Sequence, residues 1–148
     1  MVKNYEMFPT GGGFWCVEGE LEGGRFFTAD CNDIGVTLFR TKEARDASWD
    51  SFDESDPDFL GYPDESTCKQ ILAEVFCSEI EKDTYAAEEA KQFLLSMADV
   101  YFDYKGFLVA IENFDGETFF RTSWDDDVTD FGTLEDCLAF CNGGGENV

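Results

Sequence analysis

The chain has 148 residues, with 33 acidic and 10 basic side chains, no histidine and a formal net charge of −23. Nucleic acid and anionic membrane are excluded as direct partners by that balance, because both are held through Lys and Arg neutralising phosphate. A disordered polyanion is excluded by the 43% hydrophobic and 16% aromatic content, which can offset the entropy of ordering a single domain over 1–148.

In chain order, the opening residues through the Gly-Gly-Gly run at 11–13 read as a flexible lead. An internal repeat follows. Residues 13–47 can be laid on 106–139 with a one-residue gap, and the copies extend over about 13–50 and 106–141. The matches include Gly13/Gly106, Phe14/Phe107, Gly23/Gly116, Phe26/Phe119 and Phe27/Phe120. After the gap come Thr37/Thr129, Phe39/Phe131, Thr41/Thr133, Glu43/Glu135 and Ala47/Ala139.

Each copy begins with a strand (14–21 or 106–113) and a glycine turn at Gly23-Gly24 or Asp115-Gly116, which favours a tight hairpin. A second strand carries RFFTA or TFFRT, a short extended piece ends at Phe39 or Phe131, and Thr41 or Thr133 then caps a helix. Glu43 or Glu135 in the first turn suits the helix dipole. The repeated unit is therefore ββ(β)α.

Between the copies, 50–65 holds two of the three prolines and no period, so it reads as an exposed acidic loop. Residues 66–80 place Cys68, Ile71, Leu72, Val75, Phe76 and Ile80 on one helical face, with Ser66 or Thr67 as cap. A second helix is predicted over 84–101, with Ala86, Ala90, Phe93, Leu94, Met97 and Tyr101 as its stripe. The tail from Asn142 should fray. The predicted fold is α+β: two antiparallel ββ(β)α units flanking a central pair of amphipathic helices. Its core is expected at Phe14, Val17, Phe26, Phe39, Phe107, Val109, Phe119, Phe131, Leu134 and Leu138.

No enzymatic chemistry is legible. Without histidine there is no Ser–His or Cys–His pair, and neither a phosphate-binding loop nor a dinucleotide fingerprint occurs. Carboxylate pairs carry no specificity among 33 acids. The six cysteines lack a C-x-x-C and read as reduced, buried thiols, so no zinc and no cofactor are expected. Residues 56–67 set acids at positions 1, 3 and 9 and Gly61 at position 6 of a calcium-loop template. Leu60 and Thr67 remove two ligands, and no dedicated metal site is expected. No segment pairs a basic start with an apolar core of leader length, and no apolar run reaches membrane-spanning length. The expected location is therefore cytoplasmic, a host cell's cytoplasm if the chain is phage-encoded.

What remains is acid interleaved with aromatics. From Asp46 to Glu65 there are eight acidic residues and no basic one. Alternate residues of a strand stand roughly 6.6 Å apart, near the spacing of successive phosphates, so Glu18, Glu20 and Glu22 read as one row. Asp50, Asp53, Glu54, Asp56, Asp58, Asp64 and Glu65 form a second, and Asp125, Asp126, Asp127 and Asp130 a third. Trp49, Phe52, Phe59, Tyr62 and Trp124 stand among these acids as candidate anchors for a partner.

This profile resembles the small acidic anti-defence proteins encoded by phages, the DNA-mimic antirestriction and anti-CRISPR inhibitors. The likeness lies in size, charge and the lack of catalytic motifs. It implies a non-enzymatic, nucleic-acid-mimicking inhibitor whose partner is a basic nucleic-acid-binding protein or ribonucleoprotein complex, such as a CRISPR effector or restriction enzyme. The alternative is a non-catalytic acidic interaction or scaffold domain, calcium-stabilised in one version. An exposed sheet edge also leaves a homodimer open.

Overall fold

The structure, a computed structural model, describes residues 1–97 and 99–143. Residues 144–148 of the predicted fraying tail lie outside the described residues. The chain divides into two compact units, Met1–Val75 and Phe76–Val148, each of them antiparallel and α+β.

In the first unit, β1 (Val2–Gly11), β2 (Phe14–Leu21), β3 (Arg25–Asp30), β4 (Gly35–Phe39) and β5 (Phe59–Gly61) form one sheet in sequence order. Helix α1 (Lys42–Ala47) sits between β4 and β5 in the chain, and α2 (Glu65–Lys82) follows. Successive side chains of a strand point to opposite faces. Met7, Val17, Leu21, Phe27, Ala29, Val36 and Leu38 accordingly share the buried face, and Ile71, Leu72 and Val75 of α2 are buried as well. Glu74 of α2 ties down the start of β1, accepting from the Val2 amide at 3.1 Å and the terminal ammonium at 3.2 Å.

Gly19 has the least room of the glycines in this sheet. A Cβ there would lie 2.4 Å from the Asn4 carbonyl oxygen and 2.7 Å from Cε1 of Phe27, so only glycine lets β1 and the Phe27 ring close over β2.

In the second unit, α3 (Ala87–Ser96) precedes β6 (Val100–Tyr104), β7 (Phe107–Phe114), β8 (Glu117–Trp124) and β9 (Asp127–Phe131), again a sheet in sequence order, and α4 (Leu134–Asn142) closes the chain. Val100, Phe102 and Tyr104 alternate inward with Phe107, Val109, Ile111 and Phe120. Helix α4 buries Leu134, Cys137, Leu138 and Cys141, an i, i+3, i+4, i+7 stripe, and Phe140 meets Phe107 and Phe131 at 5.5 and 5.1 Å between ring centroids.

The repeat is real at the level of elements. The β2–β4 segment with α1 and the β7–β9 segment with α4 follow the same order, and both predicted threonine caps form. Thr41 accepts from the Ala44 amide at 3.1 Å and Thr133 from the Asp136 amide at 3.2 Å. The two hairpins differ by one residue. Leu21 pairs with Arg25 across a three-residue loop, whereas Phe114 pairs with Glu117 across Asp115-Gly116, both at positive φ. A one-residue slip exchanges the faces of a strand. Phe14 is therefore 57% exposed, although the matching letter Phe107 is buried.

Several expectations are corrected. Phe119 faces outward, 47% exposed, because its neighbour Phe120 takes the inner face. Phe26 and Phe131 are half-buried, and the remaining core predictions are buried. The flexible lead is the edge strand β1, which buries only Met7 and so shows no alternation in the sequence. Helix 84–101 ends at Ser96, and Tyr101 belongs to β6, where the period changes from 3.6 to 2. Helix α2 is capped by neither Ser66 nor Thr67: the Asp64 carboxylate accepts from the Thr67 amide at 2.8 Å. All six cysteines are unpaired, five of them buried and Cys16 half-buried. Burial pushes the Cys31 thiol up to about 12, as suits an inert core residue.

Candidate interaction surface

In the first unit, the outward face of the sheet carries the predicted row. Glu18 and Glu20 share that face of β2, and β1 places Glu6 directly opposite Glu18. Like charges held opposite each other on a sheet are destabilising. Glu20 is partly compensated by Lys3 at 3.4 Å and Asn4 at 3.3 Å, and Glu22, just beyond β2, lies 3.9 Å from the terminal ammonium. A concavity of about 290 Å³ on this face is lined by Glu6, Glu18 and Glu20 together with Lys42 and Arg45. Arg45 is itself committed: its guanidinium donates to the Gly19 carbonyl and to Asp46, and lies over the Phe26 ring. The row is therefore acidic but not uncompensated.

The 49–65 segment folds on itself more than a solvated loop would. Phe52 and Phe59 pack edge-on at 5.2 Å and cover Phe39, which is why Phe39 is buried on an otherwise outward face. Its acids divide by role. Asp53 accepts from the Ser55 amide and hydroxyl, which hold its carboxyl below the usual range. Asp56 accepts from the Asp58 amide at 2.9 Å, and Asp58 faces Arg40 at 3.8 Å. Asp64 caps α2, with the Thr67 bonds lowering its carboxyl, and Glu65 pairs with Lys69 one turn on. Asp56 and Asp64, two of the would-be calcium ligands, are thus engaged as local turn acceptors. No group of three or more metal-ligating side chains is assembled among the described residues.

Two anchors stand out from this surface. Trp49 is 43% exposed, with its indole N–H donating to Glu18 at 2.9 Å and its ring against Phe8 at 5.7 Å. Tyr62 is 59% exposed, its hydroxyl donating to Glu54 at 2.8 Å and its ring edge-on to Phe59. The Glu54 carboxylate raises the tyrosine's pKa. Both rings border a cavity of about 440 Å³ that also receives Asp30 and Asp33. Asp50 is exposed beside Trp49 in the chain.

In the second unit, Trp124 ends β8 at a two-residue turn of exposed Asp125 and Asp126, with Asp125 at φ 57°, and pairs across it with exposed Asp127, the first residue of β9. Asp130 lies on β9, where Arg121 binds it at 2.6 Å and lowers its pKa. The structure thus pairs Glu18 with Trp49 and Glu54 with Tyr62 through direct bonds, while Asp125, Asp126 and Asp127 cluster where β8 turns into β9. Comparison with family models, with curated proteins and with solved structures finds no match to this chain.

Sequence reading missed Glu6, Asp30 and Asp33. Glu6 has meaning only through the register of β1 with β2, and the two aspartates only through the way the 49–65 segment folds back past β4. It also missed the outward face of the second sheet, where Tyr101, Leu108, Phe119 and Val128 are exposed. No helix is long and apolar enough to cross a membrane among the described residues.

Proposed function

We propose that this protein is an acidic nucleic-acid-mimicking inhibitor that binds the basic nucleic-acid-binding surface of a bacterial defence complex, a CRISPR effector or restriction system, and blocks target binding. The observation that carries this reading is the pairing of exposed aromatics with carboxylates. Trp49 and Tyr62 are each fixed by a hydrogen bond to an acid, Glu18 and Glu54, so that an anchor and a negative charge are presented as one rigid group. Such groups match a surface that holds phosphates through Lys and Arg and stacks bases on side chains. The net charge of −23 steers association with that surface. Inhibition is stoichiometric and needs no chemistry of the chain's own.

The test is capture of partners from a bacterial lysate by the tagged chain, washed at low and high salt. A near-stoichiometric nucleic-acid-binding protein should be retained at low salt and released at high salt. It should also be lost when Asp50 and Glu54 are changed to Lys, two acids that hold no backbone amide. Absence of any basic partner at low salt overturns the reading. A second reading, an acidic interaction domain with no basic partner, is favoured by one observation: the carboxylates of Asp53, Asp56 and Asp64 already accept from backbone amides close by in the chain.

A further inference from the structure

The cavity of about 440 Å³ in the first unit has a chemistry that the acid rows do not describe. Its volume falls in the range of ligand sites, roughly 300–1,000 Å³. Cys16, Thr28 and Thr37 form its floor, Trp49 and Tyr62 supply aromatic rings, and Asp30 and Asp33 supply carboxylates, with no Lys or Arg in its lining. Asp30 uses one oxygen, Oδ1, to accept from the Asn32 and Asp33 amides, which fixes the carboxylate and leaves Oδ2 uncommitted among the described residues. Glu18 and Glu54 orient the two rings through the indole N–H and the phenol O–H. Those two carboxylates sit at the polar edges of the rings and add negative charge beside them, which favours a cation over their faces.

A floor of small side chains, two aromatic rings and a fixed acid together recognise a cation on an aliphatic stem. A guanidinium fits this set better than an ammonium, because one planar ion stacks on a ring and donates in its own plane to a carboxylate. We infer that this cavity seats an arginine side chain of the basic partner, its guanidinium against Trp49, Tyr62 and Asp30 and its stem along Cys16 and Thr37. The identity of the partner rests on the mimic reading; the preference for a guanidinium rests on the cavity.

The test is a titration of the full chain with N-acetyl-arginine N-methylamide, followed by amide and indole NMR shifts, with the neutral citrulline counterpart as control. The arginine probe should give saturable shifts in the Trp49 indole and in the amides of 30–36, and the citrulline probe none. Asp30→Asn keeps the Oδ1 acceptor that shapes the turn, and Trp49→Leu removes one ring. Each should weaken the probe about tenfold with amide shifts elsewhere unchanged. No saturable shift, an equal response to citrulline, or undiminished binding by both variants overturns the inference. A salt-sensitive basic partner captured equally well by both variants also overturns it and leaves the mimic reading standing. Arginine binding without any captured partner supports the cavity and overturns the mimic reading.

Discussion

Gly19→Ala is the substitution that most directly tests how the acid row is built. The added methyl would meet the Asn4 carbonyl oxygen at 2.4 Å and the Phe27 ring at 2.7 and 2.9 Å, where ordinary contact begins near 3.4 Å. One of these neighbours is backbone and the other a fully buried ring, so neither yields by a side-chain rotation. Opening the gap means moving β1 away from β2 by the better part of an ångström, or tilting Phe27 out of its place. Overpacking of this kind costs about 1–3 kcal/mol, and the backbone collision puts this site near 3. For a chain of this size that is a fall in Tm of roughly 6–12 °C. Because Gly19 lies between Glu18 and Glu20, and its carbonyl receives Arg45 at 2.9 Å, the same change also shifts Glu6 relative to Glu18. Thermal melts followed by near-ultraviolet circular dichroism provide the assay. A Tm within about 2 °C of the parent chain would refute the close seating of β1 on β2, and with it the opposition of the two glutamates.

Relieving that opposition should have the reverse effect: Glu6→Lys is expected to stabilise the chain by about 0.2–1 kcal/mol in low-salt melts, a gain that shrinks in 1 M salt. Loss of stability at low salt would show that the two side chains do not face each other. Thr133→Ala removes the cap on the Asp136 amide and should cost about 1 kcal/mol in urea denaturation; an unchanged midpoint would show that the cap contributes nothing. Asp53, Asp64 and Asp130 all have carboxyls held below the ordinary aspartate value of 3.8 in the folded chain. The unfolded chain therefore binds more protons near that pH, and their stabilising contribution is complete above it and lost as the pH falls below it. In Arg121→Gln, a carbon-detected titration should find the Asp130 carboxyl moved up toward its ordinary value, and an unmoved titration would remove Arg121 as the cause.

The helices and hairpins were legible because their determinants are local. Thr41 and Thr133 cap the helices whose acidic first turns announced them, the Asp115-Gly116 turn carries the positive φ its residues favour, and the stripe from Cys68 to Phe76 is buried. The acidic aromatic segment was legible as a composition. Its geometry was not, since the division between turn acceptors such as Asp53 and Asp64 and anchor-holding acids such as Glu54 depends on which amide or phenol each carboxylate meets.

The sequence by itself therefore determined an antiparallel α+β chain with a duplicated plan and a strongly acidic surface, because periodicity, capping and charge are properties of neighbouring residues. Only the tertiary structure decided which face each strand shows, since one extra residue in the first hairpin loop turns Phe14 outward while Phe107 stays in. It alone set Glu6 against Glu18 and drew Trp49, Tyr62 and Asp30 around one cavity. Those meetings join residues far apart in the chain, and no local pattern records them.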